Sequence, residues 1–149
     1  MLHQPGKNQA ILETEKEAVE SVFNFLSSRE EGKVFMQPDR ITLERYVYPK
    51  KECIIVTKLI TQSPQQEVNE IPCPKLEKIL VDVFADAELF YIFQGQELVN
   101  IFETAFRTYR ISEKTLFRYA GRRKVSQKIR AFINQQTNIQ LLQQDQEAL

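Results

Sequence analysis

Between residues 71 and 86 the apolar positions recur at helical spacing. Leu76, Ile79, Leu80, Val83 and Phe84 stand at i, i+3, i+4, i+7 and i+8, the stripe of an amphipathic helix. Pro72 and Pro74 frame its entry, and Pro74 suits a first helical turn, where the missing N–H has no intrahelical partner to lose. Lys75, Glu77, Lys78 and Asp82 fall on the other side, with Lys78 and Asp82 one turn apart, and they read as a solvated face. Strand-like runs precede this segment and helical periodicity follows it, so it is the expected central core helix.

Upstream, residues 1–8 read as irregular. Ala10-Ile11-Leu12 within residues 9–13 fits a short strand. Thr14 can cap a helix with an acidic first turn, Glu15 and Glu17, as the helix dipole favours. Ala18, Val22, Phe25 and Leu26 form its stripe, widened by Val19 and Phe23, and it is expected to end within residues 27–32. Val34, Phe35 and Met36 read as a buried strand stopped by Pro38. Pro38-Asp39-Arg40 is a turn signal, and residues 41–47 alternate as the next strand would. The β-branched run Ile54-Ile55-Val56-Thr57 inside residues 52–60 is the strongest strand in the chain. Three strands joined by short turns suggest an antiparallel meander covered by helices. A polar loop over residues 62–69 returns to the central helix.

Downstream, Phe90, Tyr91 and Phe93 belong to a helix or a buried connection. Gly95 precedes a helix with Leu98, Ile101, Phe102, Ala105 and Tyr109 on one side. Ser112 can N-cap a short helix carrying Leu116, Phe117 and Tyr119, which Gly121 would stop. Val125, Ile129, Phe132 and Ile133 stripe a last helix. The pattern predicts an α/β or α+β fold: a small, mainly antiparallel or mixed sheet packed by helices, with a helical basic C-terminal part. Residues 1–133 form one expected domain, and residues 134–149 a Gln-rich tail expected to fray.

Charge changes this picture more than composition does. The 149-residue chain is neutral overall. Yet Arg107, Arg110, Lys114, Arg118, Arg122, Arg123, Lys124, Lys128 and Arg130 face a single acid, Glu113, within residues 107–130, a net of +8. The remainder holds 11 basic and 19 acidic residues, a net of −8. Solvated helix faces ordinarily mix signs, so this segment predicts an anionic partner surface or nucleic acid. Two short helices around Gly121 also have the outline of a helix-turn-helix, a shape common among helical proteins.

Other chemistry is sparse. No apolar run approaches the roughly 18 to 20 residues of a membrane span, and the N-terminus lacks the apolar core of a secretory signal. Cys53 and Cys73 are too few and too far apart for a zinc motif and read as reduced; the expected compartment is the cytoplasm. His3 is the one histidine, so histidine-based catalysis or metal binding is not expected. The four glycines are scattered singly, without a phosphate loop. Pro38-Asp39 invites comparison with metal-dependent nucleases, but after Asp39 no lysine has an acid two places before it, and Glu31-Gly32-Lys33 stands in the wrong order. Glu77, Asp82, Asp86, Glu88, Glu97 and Glu103 read as exposed helix charges rather than cation ligands. Neither a cofactor nor a metal is expected.

Three segments carry a family resemblance: Pro74-Lys75-Leu76-Glu77-Lys78-Ile79-Leu80-Val81-Asp82, Gly95-Gln96-Glu97-Leu98 and Tyr119-Ala120-Gly121-Arg122-Arg123. Over residues 3–124 the chain resembles the C-terminal domain of AbiEi-like proteins, the antitoxins of type IV toxin–antitoxin (abortive infection) systems. That family implies an N-terminal winged helix that binds operator DNA and an α/β C-terminal domain that supports repression and neutralises a nucleotidyltransferase-like toxin. Set against that pattern, the sequence is expected to begin within the C-terminal domain, without the winged helix. The expectation is a non-enzymatic, antitoxin-like regulatory domain whose basic residues Arg107, Arg110, Lys114, Arg118, Arg122, Arg123, Lys124 and Lys128 meet the toxin. A DNA-binding transcriptional module using the basic helices and a degenerate nuclease-like domain are the alternatives.

Overall fold

Ile54 to Thr57, the most β-prone run in the chain, lies within a strand, β3 (Glu52–Lys58), and the first half of the protein is built on it. A computed structural model describes residues 8–142. The fold class is α+β, and the chain divides after Thr61 into two compact units.

In the first unit, β1 (Asn8–Thr14) and β2 (Val34–Met36) flank β3 in the order β1-β3-β2. Both pair with it in parallel, Ala10 and Val34 each lying opposite Ile54. Cys53, Ile55 and Val56 of the central strand are buried, the near-continuous apolar burial expected of a parallel strand. After β1 a 3-10 turn, Lys16–Ala18, leads into α1 (Val19–Ser27). Thr14, expected to cap this helix, instead ends β1. Val19, Val22, Phe23 and Leu26 of α1 pack with Val34, Ile54 and Val56, whereas Phe25 stays 57% exposed with the Arg29 guanidinium 4.5 Å from its ring centroid.

The expected antiparallel meander does not form, because residues 41–47 are helical. Arg40–Thr42 begin a helix, α2, that continues as a π-helical turn, Leu43–Val47. The Asp39 carboxylate accepts the Thr42 N–H at 2.8 Å and caps it, so Pro38-Asp39 is a helix start as well as a turn. Arg40 Nε donates to Glu44 at 3.0 Å one turn on. Leu43 and Val47 are buried, while Ile41 and Tyr46 are more than half exposed. A spacing of four satisfies both a strand's period of two and a helix's 3.6, and here the helix wins. With a helix between them, β2 and β3 are joined by a crossover and run parallel.

The second unit begins with a hairpin, β4 (Gln65–Val68) and β5 (Ile71–Pro74), paired antiparallel. Half of the segment expected to be a polar loop, residues 65–68, is therefore strand. Asn69 and Glu70 connect the strands with φ of 52° and 65°, the left-handed pair of a two-residue type I′ turn. Four helices follow: α3 (Leu76–Ala85), α4 (Gln96–Thr108), α5 (Glu113–Arg122) and α6 (Ser126–Gln136). Pro74 closes β5 and Lys75 takes the N-cap position of α3. The aromatic segment between α3 and α4 is a connection with one 3-10 turn, Tyr91–Phe93.

The core of this unit comes from Leu80, Val81 and Val83 of α3, Leu98, Val99, Phe102 and Ala105 of α4, Leu116, Tyr119 and Ala120 of α5, and Ile129, Phe132 and Ile133 of α6. The Phe132 ring lies 5.1 Å from that of Phe102, edge-on, and 5.5 Å from that of Phe84. Ser112 caps α5 by accepting the Thr115 N–H at 3.2 Å. Gly121, the expected stop, lies inside α5. The turn is made by Lys124, at φ 60°. The tail expected to fray from Asn134 is helical through Gln136 and then docks. Leu141 is buried, and the backbone N–H of Asn138 and of Leu142 donate to Glu103 and Glu113 at 3.1 and 3.0 Å. Residues 143–149 lie outside the described residues.

Leu80 is fully buried at the centre of α3. Leu80→Ala is expected to destabilise the protein by about 2 to 5 kcal/mol in chemical denaturation. A loss below about 0.5 kcal/mol, the range of surface substitutions, would remove α3 from the core.

Candidate functional site

The charges of α3 are not its solvated face. Glu77, Lys78 and Asp82 are buried, Lys78 to 1% exposure, whereas Ile79 of the expected apolar stripe is 41% exposed. The helix is turned so that its Lys78–Asp82–Asp86 row meets α5. Lys78 Nζ donates to Asp82 Oδ2 at 2.5 Å. Tyr119 donates its hydroxyl to Asp82 Oδ1 at 2.6 Å, and Arg123 Nη1 bonds the same oxygen. The other guanidinium nitrogen, Nη2, reaches Asp86 at 2.7 Å. Asp82 is thus a common acceptor for one lysine, one arginine and one phenol, and Glu77 accepts the Ser112 N–H at 2.9 Å where α5 starts.

Two cations face two anions at this junction, and each buried carboxylate is hydrogen-bonded, the condition under which buried charge is tolerated. Burial first, then the bond to Asp82 and that carboxylate's charge, push the Tyr119 phenol well above its ordinary range. For Arg123, burial alone would lower the pKa. The bond with Tyr119 and the negative charges of Asp86 and Asp82 outweigh burial and raise it. Both directions favour the forms that make these bonds, the neutral Tyr119 phenol and the charged Arg123 guanidinium.

Of the expected partner-binding residues, Arg123 is therefore corrected: it faces inward, with its side chain 15% exposed. The others, Arg107, Arg110, Lys114, Arg118, Arg122, Lys124 and Lys128, are exposed. Lys114, Arg118 and Arg122 stand at i, i+4 and i+8 of α5, on the side opposite buried Leu116, Tyr119 and Ala120, so they form one ridge. Arg130 lies over the Phe117 ring at 4.0 Å. Glu113, the one acid of the segment, holds the Leu142 N–H through both carboxylate oxygens. What results is a ridge of one sign on a helix whose inner face is anchored by an ionic cluster.

Elsewhere the candidate chemistry resolves into local roles. Asp39, in the first unit, caps α2, and the bonds from Thr42 lower its pKa. Burial raises the pKa of the Cys53 thiol against the opposing charge of Lys50, and both cysteines are free. Among the described residues no group of three or more His, Cys, Asp or Glu side chains is placed to hold a metal ion. No helix among them is long and apolar enough to cross a membrane.

Residues 1–139 match the model of a family of unknown function (DUF6577), and the chain belongs to that family. No curated protein and no solved structure gives a significant match.

Removing one partner of a buried ion pair leaves the other uncompensated, so Arg123→Ala is expected to cost about 3 to 5 kcal/mol in denaturation. A near-neutral result would make the junction incidental. Tyr119 gives a pH test. Its folded pKa lies above the unfolded value of about 10, so its stabilising contribution is full below that pH and is lost as pH rises through the folded value. Stability is expected to fall above about pH 10, and Tyr119→Phe to flatten that decline. An unchanged slope in the Phe variant would show that another group controls it.

Proposed function

We propose that the chain is a non-enzymatic, antitoxin-like regulatory domain of the cytoplasm that binds an acidic protein surface through the basic side of α5 and the start of α6. The partner class is a nucleotidyltransferase-like toxin. The observation that carries the reading is the exposed ridge Lys114–Arg118–Arg122, extended in sequence by Lys124 and Lys128, with no acid among its members. A ridge of one sign raises the local concentration of an oppositely charged partner and orients it during encounter. The resemblance of residues 74–82, 95–98 and 119–123 to AbiEi-like antitoxins supplies the identity of that partner.

The ridge could equally follow a phosphate backbone, and salt separates the two partners. Against DNA, log affinity falls with log salt by about 0.9 for each phosphate neutralised. Against a protein, peripheral charges act mainly on the association rate. The test is surface plasmon resonance of the chain on an immobilised nucleotidyltransferase-like toxin and, separately, on duplex DNA, across a salt series. Lys114→Glu, Arg122→Glu and Lys128→Glu together are expected to slow association with the toxin while the melting temperature stays near that of the unaltered protein. The chain is expected to leave DNA and RNA uncut with magnesium or manganese. Tight, sequence-selective DNA binding lost in the triple variant would replace this reading, and so would cleavage abolished by Asp39→Asn.

A further inference from the structure

A concavity of about 420 Å³ opens in the second unit, lined by Gln62, Ser63, Pro64, Gln65, Lys75 and Arg118. We propose that it binds the phosphate group of a small phosphorylated ligand, with Lys75 and Arg118 as the recognising cations. Its lining holds two cations, one hydroxyl and two carboxamides, and no carboxylate. Among the described residues neither Lys75 nor Arg118 has an ion-pair partner. Two unneutralised cations on one concave wall repel each other, and a doubly charged anion between them relieves that repulsion. Arg118 supplies a planar fork suited to two phosphate oxygens, and Lys75 supplies a compact point charge.

The backbone prepares this place. Lys75 occupies the N-cap position of α3, at φ −72° and ψ 158°, and no side chain caps that end. The partial positive charge of the helix start therefore has the same sign as the lysine beside it. The Lys75 N–H donates to the Pro64 carbonyl at 3.0 Å, tying the loop to the helix start. Gln65 Nε2 donates to Ser63 Oγ at 3.3 Å, which leaves the serine O–H as a donor for a bound oxygen. Gln62 holds a left-handed backbone, φ 61°, a conformation that non-glycine residues adopt at a cost and that concentrates at ligand sites. The volume falls within the range of small-molecule sites and exceeds what a phosphate alone fills, so the organic part of an ester has room.

This inference rests on the lining and not on the proposed toxin partner. Arg118 belongs to both surfaces, Lys75 to the concavity alone, and Arg122 and Lys128 to the ridge alone. The test is a titration of the full chain, followed by NMR amide shifts and calorimetry, with inorganic phosphate, adenosine 5′-monophosphate and adenosine. Phosphate and the monophosphate are expected to shift the amides of residues 62, 63, 65 and 75 saturably, and adenosine is not. A monophosphate tighter than phosphate would assign the remaining volume to the organic group, and equal affinities would place recognition in the phosphate; both support the proposal.

Lys75→Gln and, independently, Arg118→Gln are expected to weaken binding roughly tenfold, as the loss of one charge-assisted bond does. Lys58→Gln, which removes an exposed charge from β3, is the control for net charge. The proposal is overturned if Lys75→Gln does no more than Lys58→Gln, if adenosine binds as well as its monophosphate, or if the shifts spread evenly over all basic residues. A chain that binds phosphate but no toxin would refute the proposed function and leave this site standing.

Discussion

Asp82 is the constraint on which the second unit turns. One carboxylate accepts Lys78 from its own helix and both Tyr119 and Arg123 from α5. Satisfying it fixes the rotation of α3, because Lys78, Asp82 and Asp86 must all face α5, and it fixes α5 at two points one turn apart. Apolar contacts between helices tolerate small rotations. A carboxylate that must find three donors does not, since any donor that slips away leaves a desolvated charge behind. Glu77 adds a further lock by holding the Ser112 N–H where α5 begins.

That lock sorts the basic residues. Facing inward at one end of α5, Arg123 is neutralised by Asp82 and Asp86, so its charge is not available to a partner. With Tyr119 and Arg123 inside, the helical period carries Lys114, Arg118 and Arg122 to the opposite side. The ridge is thus a geometric consequence of the inner cluster. Nine basic residues against one acid overstates the outward charge, since Arg123 spends its own within the fold.

The helices of the second unit were legible because their stripes are long and punctuated: Ser112 caps where a cap was expected, and Phe102, Ile129 and Ile133 are buried where the period placed them. The central strand was legible from four β-branched residues. Residues 41–47 misled because Leu43 and Val47 fit either period, and the deciding signals, Asp39 as a cap and Arg40 with Glu44 one turn apart, are short-range features easily read as a turn. The β4–β5 hairpin was missed because Gln65-Gln66-Glu67 has no strand character and its turn uses Asn69-Glu70 rather than a glycine. Local sequence says little about a hairpin stabilised by its ladder. The buried charges of α3 were missed for a different reason. Hydropathy assigns Lys78 and Asp82 to solvent, and only the pairing of a Lys-Asp-Asp row with a Tyr-Arg pair on another helix shows that the two neutralise each other. The spacing of 78, 82 and 86 was visible, but its partner, 119 and 123, lies more than thirty residues away.

The same geometry separates residues fixed by packing from residues that can vary. Residues 74–82 contain Glu77, Lys78 and Asp82, and residues 119–123 contain Tyr119 and Arg123; four of these meet at the ionic junction while Glu77 holds the start of α5. Residues so coupled cannot change singly without leaving an unpaired buried charge, so they mark a way of packing α3 on α5 whatever that packing serves. Partner choice depends on groups that vary without that penalty. Of the ridge, Lys114, Arg118, Lys124 and Lys128 lie outside residues 74–82 and 119–123, and so does Ser63, which lines the concavity with Arg118. It follows that the arrangement of α3 on α5 is set by the buried charges, and that the exposed cations it holds outward are the groups that can change without that penalty.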